Sequence, residues 1–296
     1  MGFTPEKGML YLCATPIGNM EDITLRTLDC LKQADYIAVE SMERSSKLLY
    51  HYGIKKPLIS YREVNRERKN KEIIGKIKEG AVIALITDAG MPGISDPGFN
   101  LLNIMVEKGL SFTIVPGPSA ALTALLLSGY SSQKFVFWGF LNRKKKKRME
   151  ELESISREEK TVIMYESPYR LGETLSSMAD MMGERELAVC REMTKKFEEV
   201  KRGSPSYLKD YFHNNPPRGE ITLVLSPLGT GGKKAGELEE ESSWNNEDIK
   251  KMLREEMQRG KTSKEAVYEV KKMSGWSKNK VYSLLVQLKE EKNQAE

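Results

Sequence analysis

Apolar and polar positions along the chain alternate between two periods. Residues 9–14 (MLYLCA), 36–40 (YIAVE), 81–87 (AVIALIT) and 111–115 are short apolar runs bounded by turn residues, the pattern of buried strands. The run at 81–87 has no alternation, which predicts a strand of a parallel sheet covered on both faces. Between these runs, residues 22–32, 45–52, 70–79 and 100–108 read as helices, two of them closed by Gly53 and Gly109. Strands alternating with helices predict an α/β fold. The alternation returns after residue 120, with strands at 136–140, 161–165, 186–190 and 220–225 and a helix at 170–182, predicting a second α/β domain.

The composition then breaks. Residues 227–236 (PLGTGGKKAG) and the acidic stretch 237–241 read as a linker. Beyond it, 246–259, 263–273 and 277–289 are amphipathic helical patterns separated by Gly260 and Gly275, with Ser263 and Ser277 as expected N-caps. The predicted organisation is an N-terminal α/β domain (1–119), a second α/β domain (120–228), a linker (229–245) and a helical module (246–292). Three short helices with tight turns fit a helix-turn-helix module and equally other small bundles.

Composition narrows the function classes. The 296 residues are 39% hydrophobic and 30% charged, which suits a globular chain. The longest apolar stretch, 120–127, is far short of a bilayer span, and the opening MGFTPEKG has no basic-then-apolar leader. A cytoplasmic protein without a membrane partner is expected. Three scattered cysteines and two histidines argue for reduced thiols and against a disulfide framework, a metal centre or a Ser-His-Asp hydrolase. The net charge of +5 is unevenly placed, because Arg143, Lys144, Lys145, Lys146, Lys147 and Arg148 are consecutive. Such a run is either a solvated loop or a contact for phosphates.

The densest loop is 87–98 (TDAGMPGISDPG), directly after an apolar strand. Its glycines and prolines preclude regular structure and suit a close approach of backbone to a ligand. Ligands of α/β sheets sit beyond the carboxyl ends of the strands, where this loop must lie. There Asp88 would accept hydrogen bonds from a ligand, or Asp88 and Asp96 would only cap turns. Residues 15–19 (TPIGN) and 116–119 (PGPS) also leave strands through Gly and Pro, and Ser119 is either an N-cap or a ligand contact. Three such loops predict one shared cleft. No P-loop, no G-x-G-x-x-G after a strand and no complete nucleophile elbow is present.

The order of ATPIGN, TDAGMPGISDPG, PGPSAALTA, FWGFLNRK, YESPYRL, REMTKKFEE and RGEITLVL resembles the tetrapyrrole-methylase superfamily, from about residue 10 to residue 226. Within it, the chain is similar to the branch that methylates the 2′-hydroxyl of a cytidine in the decoding region of 16S rRNA. The resemblance implies two α/β domains with S-adenosylmethionine in the cleft between them, a homodimer, and 16S rRNA or the 30S subunit as partner. It places Pro16, Asp88, Gly90, Met91, Gly93, Ser119 and Ala120 around the cofactor from the first domain, and Tyr165 and Ile221 from the second. Arg143 to Arg148 would then hold rRNA phosphates. A carboxylate or lysine near the ribose hydroxyl would help remove its proton, and Glu40, Glu63 and Lys195 are the candidates, each alternatively a salt bridge or a solvated side chain. The chain departs from the branch after YIAVE, where Ser41, Met42 and Glu43 replace an acidic residue, a threonine and an arginine, and at Arg62-Glu63-Val64-Asn65, which replaces a His-Glu-His-Asn run. Two other readings stay open: a superfamily methyltransferase acting on a corrinoid or a protein, and a non-catalytic RNA-binding assembly factor.

Overall fold

The computed structural model describes residues 3–182, 185–229, 245–274, 276 and 278–293. The chain separates into two compact units, Met1–Lys234 and Ala235–Glu296. The first holds two five-stranded sheets. In sheet one, β1 (Leu10–Cys13), β2 (Tyr36–Val39), β3 (Leu58–Ser60), β4 (Ile83–Ile86) and β5 (Phe112–Val115) lie in the order β3-β2-β4-β1-β5, all parallel. The crossovers run through α1 (Leu25–Gln33), α2 (Met42–His51), α3 (Arg66–Lys78) and α4 (Gly98–Glu107).

Burial on both faces explains the uninterrupted apolar strands. Tyr11, Cys13, Ala84 and Ile86 point into one core with Leu31 and Leu48, while Leu10, Leu12, Ile83 and Leu85 point into the other with Ile73 and Leu101. The helix expected at 22–32 is shorter than its pattern. A 3-10 turn at Met20–Asp22 comes first, and the Thr24 side chain then accepts the Thr27 amide to open α1.

Helix α5 (Ala120–Ser128) leads to sheet two, in which β6 (Phe135–Phe140), β7 (Thr161–Glu166), β8 (Leu187–Arg191), β9 (Glu199–Gly203) and β10 (Ile221–Leu225) take the order β6-β7-β10-β8-β9. Only β6 and β7 are parallel. One face packs on α6 (Lys145–Ser156), α7 (Leu171–Met182) and α8 (Pro205–Asn214) through Leu152, Leu175, Leu208 and Leu223. The other face takes α5, whose Ala121, Ala124 and Leu125 meet Ile163, Ala188 and Val224. Ile17 of the first loop joins that same cluster.

Only Arg143 and Lys144 of the basic run lie in a loop. Lys145 already begins α6, and Arg148, Leu152 and Ile155 share its buried side. Arg148 is 3% exposed and its guanidinium donates to Glu173 at 2.8 Å, so it is withdrawn from the set of free cations. Arg143 to Lys147 remain exposed.

The second unit comprises α9 (Asn246–Gln258), α10 (Ser263–Ser274) and α11 (Lys278–Asn293) around Ile249, Leu253, Val267, Val270, Val281 and Leu285. Thr262, not Ser263, caps α10. Its amide donates to Glu265 and its hydroxyl accepts the Glu265 amide, a reciprocal box that leaves Ser263 inside the helix. Ser277, Gly275 and residues 230–244 of the expected linker lie outside the described residues. Among the described residues no helix is long and apolar enough to cross a membrane.

Candidate functional site

The carboxyl ends of β1, β2, β4 and β5 open into one cleft of about 390 Å³, which sheet two closes from the other side. Its framework is a hydrogen-bonded crossing of the first two loops. Thr15 and Gly90 exchange backbone hydrogen bonds at 2.9 and 3.1 Å, and the Thr15 hydroxyl donates to the Thr87 carbonyl at 3.1 Å. Gly18 fixes the contact with sheet two. A Cβ there would stand 2.5 Å from the Met193 carbonyl oxygen, so only glycine allows the approach. Beside it, the Asn19 amide donates to the Thr194 hydroxyl.

Asp88, Gly90, Met91, Ser119, Ala120, Tyr165 and Ile221 all line this cleft. Two residues named with them stand back from its surface. Pro16 is buried in the loop beside the lining residue Ile17. Gly93 (φ 91°) donates its amide to the Asp96 carboxylate at 2.9 Å and serves the loop's own fold. Asp96 also accepts the Gly98 amide at 2.7 Å, and burial raises its carboxyl pKa despite these donors. Asp88 is engaged within the protein as well, accepting the Ser41 amide at 3.1 Å and facing the Arg44 guanidinium at 3.3 Å. Arg44 itself lines the cleft, one residue beyond Glu43, where the branch carries an arginine. Ser119 caps α5 through the Leu122 amide while also facing the cleft.

The three proton-acceptor candidates separate. Glu40, at the end of β2, lines the cleft and accepts the Thr87 hydroxyl at 2.9 Å. Burial raises its pKa, with Asp88 and Asp96 adding to the effect. Lys195 also lines the cleft, with its ammonium on Glu192 at 3.0 Å. Glu63 is elsewhere, exposed and paired with Arg66 on a 3-10 turn. It is a surface ion pair and no part of the cleft.

Several cleft residues had no assigned role in the sequence reading: Arg44, Phe140, Glu166, Glu192 and Met193. All but Arg44 sit within motifs quoted for the resemblance, yet no local rule marks them as ligand contacts. Glu166 is buried, accepts the Thr174 hydroxyl at 2.6 Å and faces the Arg170 guanidinium, which in turn donates to the carbonyls of Leu141 and Asn142. The motif YESPYRL is therefore a clamp on the segment leading into the basic run. Among the described residues, the non-glycine positions with positive φ are Ser95, Glu192 and Thr194, all in cleft loops.

Six carboxylates (Glu40, Asp88, Asp96, Glu166, Glu192, Glu220) and two cations (Arg44, Lys195) line the cleft, with apolar walls of Ile17, Met91, Met193 and Ile221. That chemistry suits a cation with an apolar or aromatic body. Among the described residues no cluster of His, Cys, Asp and Glu could hold a metal ion.

Residues 9–208 match the family of Tetrapyrrole (Corrin/Porphyrin) Methylases. Ribosomal RNA small subunit methyltransferase I of Bacillus subtilis is 43% identical over 277 residues, 94% of this chain and 94% of that protein. The protein of the same name from Thermotoga maritima is 45% identical, over 74% of this chain but 98% of its own length. Among solved structures, cobalt precorrin-4 methyltransferase superposes with a TM-score of 0.59 at 17% identity, covering 76% of this chain and 98% of that one. Uroporphyrin-III C-methyl transferase from Thermus thermophilus, complexed with S-adenyl homocysteine, gives 0.54 at 14% identity, covering 74% and 97%. These two likenesses concern the fold.

Proposed function

Since the chain belongs to the tetrapyrrole methylases and, within them, to the ribosomal RNA small subunit methyltransferase I family, we propose that it methylates the 2′-hydroxyl of a cytidine in 16S rRNA. The observation that carries the reading is the charge pattern: an acid-rich cleft with apolar walls, and the exposed run Arg143 to Lys147 outside it. S-adenosylmethionine carries one net positive charge, and when bound it supplies an electrophilic methyl group on a sulfonium. Asp88, Gly90, Met91, Ser119, Ala120, Tyr165 and Ile221 would hold it, while Pro16 and Gly93 shape the loops behind them.

Within the cleft Glu40 is the residue suited to take the proton from the ribose hydroxyl. Its raised pKa makes it a stronger base than an exposed carboxylate, and Thr87 fixes its orientation. Lys195 is tied to Glu192 by an ion pair and supplies a positive charge facing the cleft. Most of the acceleration comes from holding hydroxyl and methyl in line with water excluded.

We further read the active protein as a homodimer working in the cytoplasm on the 30S subunit. The dimer is supported by the apolar side chains that α4 and α5 leave exposed, Phe99, Val106, Leu122 and Leu126. Incubation with methyl-labelled S-adenosylmethionine and purified 30S subunits tests the reading. Label should appear on one cytidine of 16S rRNA as an alkali-stable ribose methyl. Transfer to a base, to protein, or to nothing would refute it, and sedimentation velocity tests the dimer.

A further inference from the structure

Phe140 ends β6 with its ring in the cleft and 55% of its surface exposed. The sheet is built to put it there. Strand β6 pairs Phe137 with Ile163 and then Gly139 with Met164, so Trp138 is an extra residue in a bulge. Without the bulge, alternation would turn Phe140 to the face opposite Phe137. With it, Phe140 pairs with Tyr165, and the rings of Phe137, Tyr165 and Phe140 share the cleft face. Their centroids lie 5.1 Å (Phe137 to Tyr165) and 5.4 Å (Tyr165 to Phe140) apart. The bulge needs Gly139 at φ 80°, where a Cβ would also come within 3.1 Å of the Ser95 hydroxyl across the cleft.

The segment on the C-terminal side of Phe140 gives the ring its use. Arg170 holds the carbonyls of Leu141 and Asn142 at 2.9 and 3.1 Å, and the five exposed cations start at Arg143. Three residues span at most about 11 Å, so ring and first cation are within reach of one short stretch of strand. A ring facing the cleft and a run of exposed cations beginning three residues after it are the two parts of a single-strand site, stacking surface and phosphate contacts. Resting on the methylation reading above, we propose that Phe140 is the surface on which the base of an unpaired substrate nucleotide stacks, while the strand's phosphates follow Arg143 to Lys147. The substrate nucleotide then enters the cleft unstacked from its neighbours, because a base inside a helix offers no free face.

Phe140→Ala and Phe140→Trp in the full chain test this, by fluorescence anisotropy with a labelled single-stranded oligoribonucleotide and by calorimetry with S-adenosylmethionine. Phe140→Ala should weaken RNA binding about fivefold or more, the least that loss of one stacked base costs. Phe140→Trp should restore it, and neither should change cofactor affinity or the thermal midpoint. A parallel loss of S-adenosylmethionine affinity would overturn the proposal and assign the ring to adenine. RNA affinity within twofold of wild type in Phe140→Ala would overturn it while leaving the methylation reading intact. Absence of RNA binding by the wild-type chain would remove both.

Discussion

Replacing Lys144, Lys145, Lys146 and Lys147 with alanine isolates the electrostatic part of substrate binding. All four are exposed and lie outside the cleft, whereas the next cation, Arg148, is buried on Glu173. Each phosphate neutralised on a single strand contributes about −0.7 to the slope of log affinity against log salt. Four lysines, each on one phosphate, therefore contribute up to about −2.8. Over a fourfold rise in salt, the wild-type chain should lose about 50-fold more affinity than the variant.

Arg148→Ala is the internal control. Its partner Glu173 is solvent-accessible, so no charge is stranded in the interior, but α6 loses its anchor on α7. That change should lower the thermal midpoint and leave the salt slope where it was. Anisotropy titrations with 16S rRNA fragments at four salt concentrations measure both variants. A quadruple variant with the wild-type slope would refute the phosphate track. An Arg148→Ala slope shallower by a full phosphate would refute its separation from the other five.

Glu40→Gln should cut the methyl-transfer rate by about 10²- to 10⁴-fold and remove the acid limb of the pH–rate profile, with RNA affinity unchanged. Because burial raises the Glu40 pKa, its contribution to stability is complete below the ordinary glutamate range and is lost as pH rises through the folded value. Glu40→Gln should therefore melt higher than wild type at neutral pH and equally in acid, and the reverse order in calorimetry would contradict this. A chain ending at Leu228 should still melt cooperatively and bind S-adenosylmethionine, since its units are separately compact and the Thermotoga maritima relative is matched over nearly its whole length by 74% of this chain. An insoluble product would refute it. Arg185 is buried and donates to the carbonyls of Ser226, Ile155, Ser156 and Lys160, so Arg185→Met should cost roughly 3–5 kcal/mol in denaturant unfolding. A loss below about 1 kcal/mol would mean the freed carbonyls find other donors.

What was legible in the sequence is what burial writes into it. The central strands β1, β2 and β4 are covered on both faces, so MLYLCA, YIAVE and AVIALIT read as strands without help. Strand β3 is only Leu58–Ser60, too short to show a period, and β9 (EVKRG) is an edge strand with the charged pattern that discourages further pairing. The Gly/Pro loops located the cleft because their composition forbids regular structure, yet composition did not separate Gly90, which lines it, from Gly93, which braces the loop. The run RKKKKR hid the one member that faces the core, since Arg148 is set apart only by its spacing to Leu152 and Ile155. Phe140 was illegible as a ligand contact for a different reason. Its direction depends on a one-residue bulge against β7, a fact of register between two strands that neither strand states alone.

The modest net charge of +5 conceals an opposition that the site depends on. A polyanionic substrate approaches a cleft whose lining carboxylates outnumber its lining cations, which disfavours phosphate inside even with Asp88, Glu166 and Glu192 ion-paired. Five consecutive exposed cations lie outside that cleft, beginning three positions after Phe140, and phosphates gain their affinity there. What has to pass the acidic wall is a neutral ribose and base, and the surface that meets the base is an uncharged ring. Inside, the carboxylates favour a ligand with a net positive charge, and once the methyl group has left, the remaining thioether has lost that charge and part of its hold. The same arrangement favours the nucleoside over its phosphates and holds the uncharged spent cofactor less firmly than the charged one.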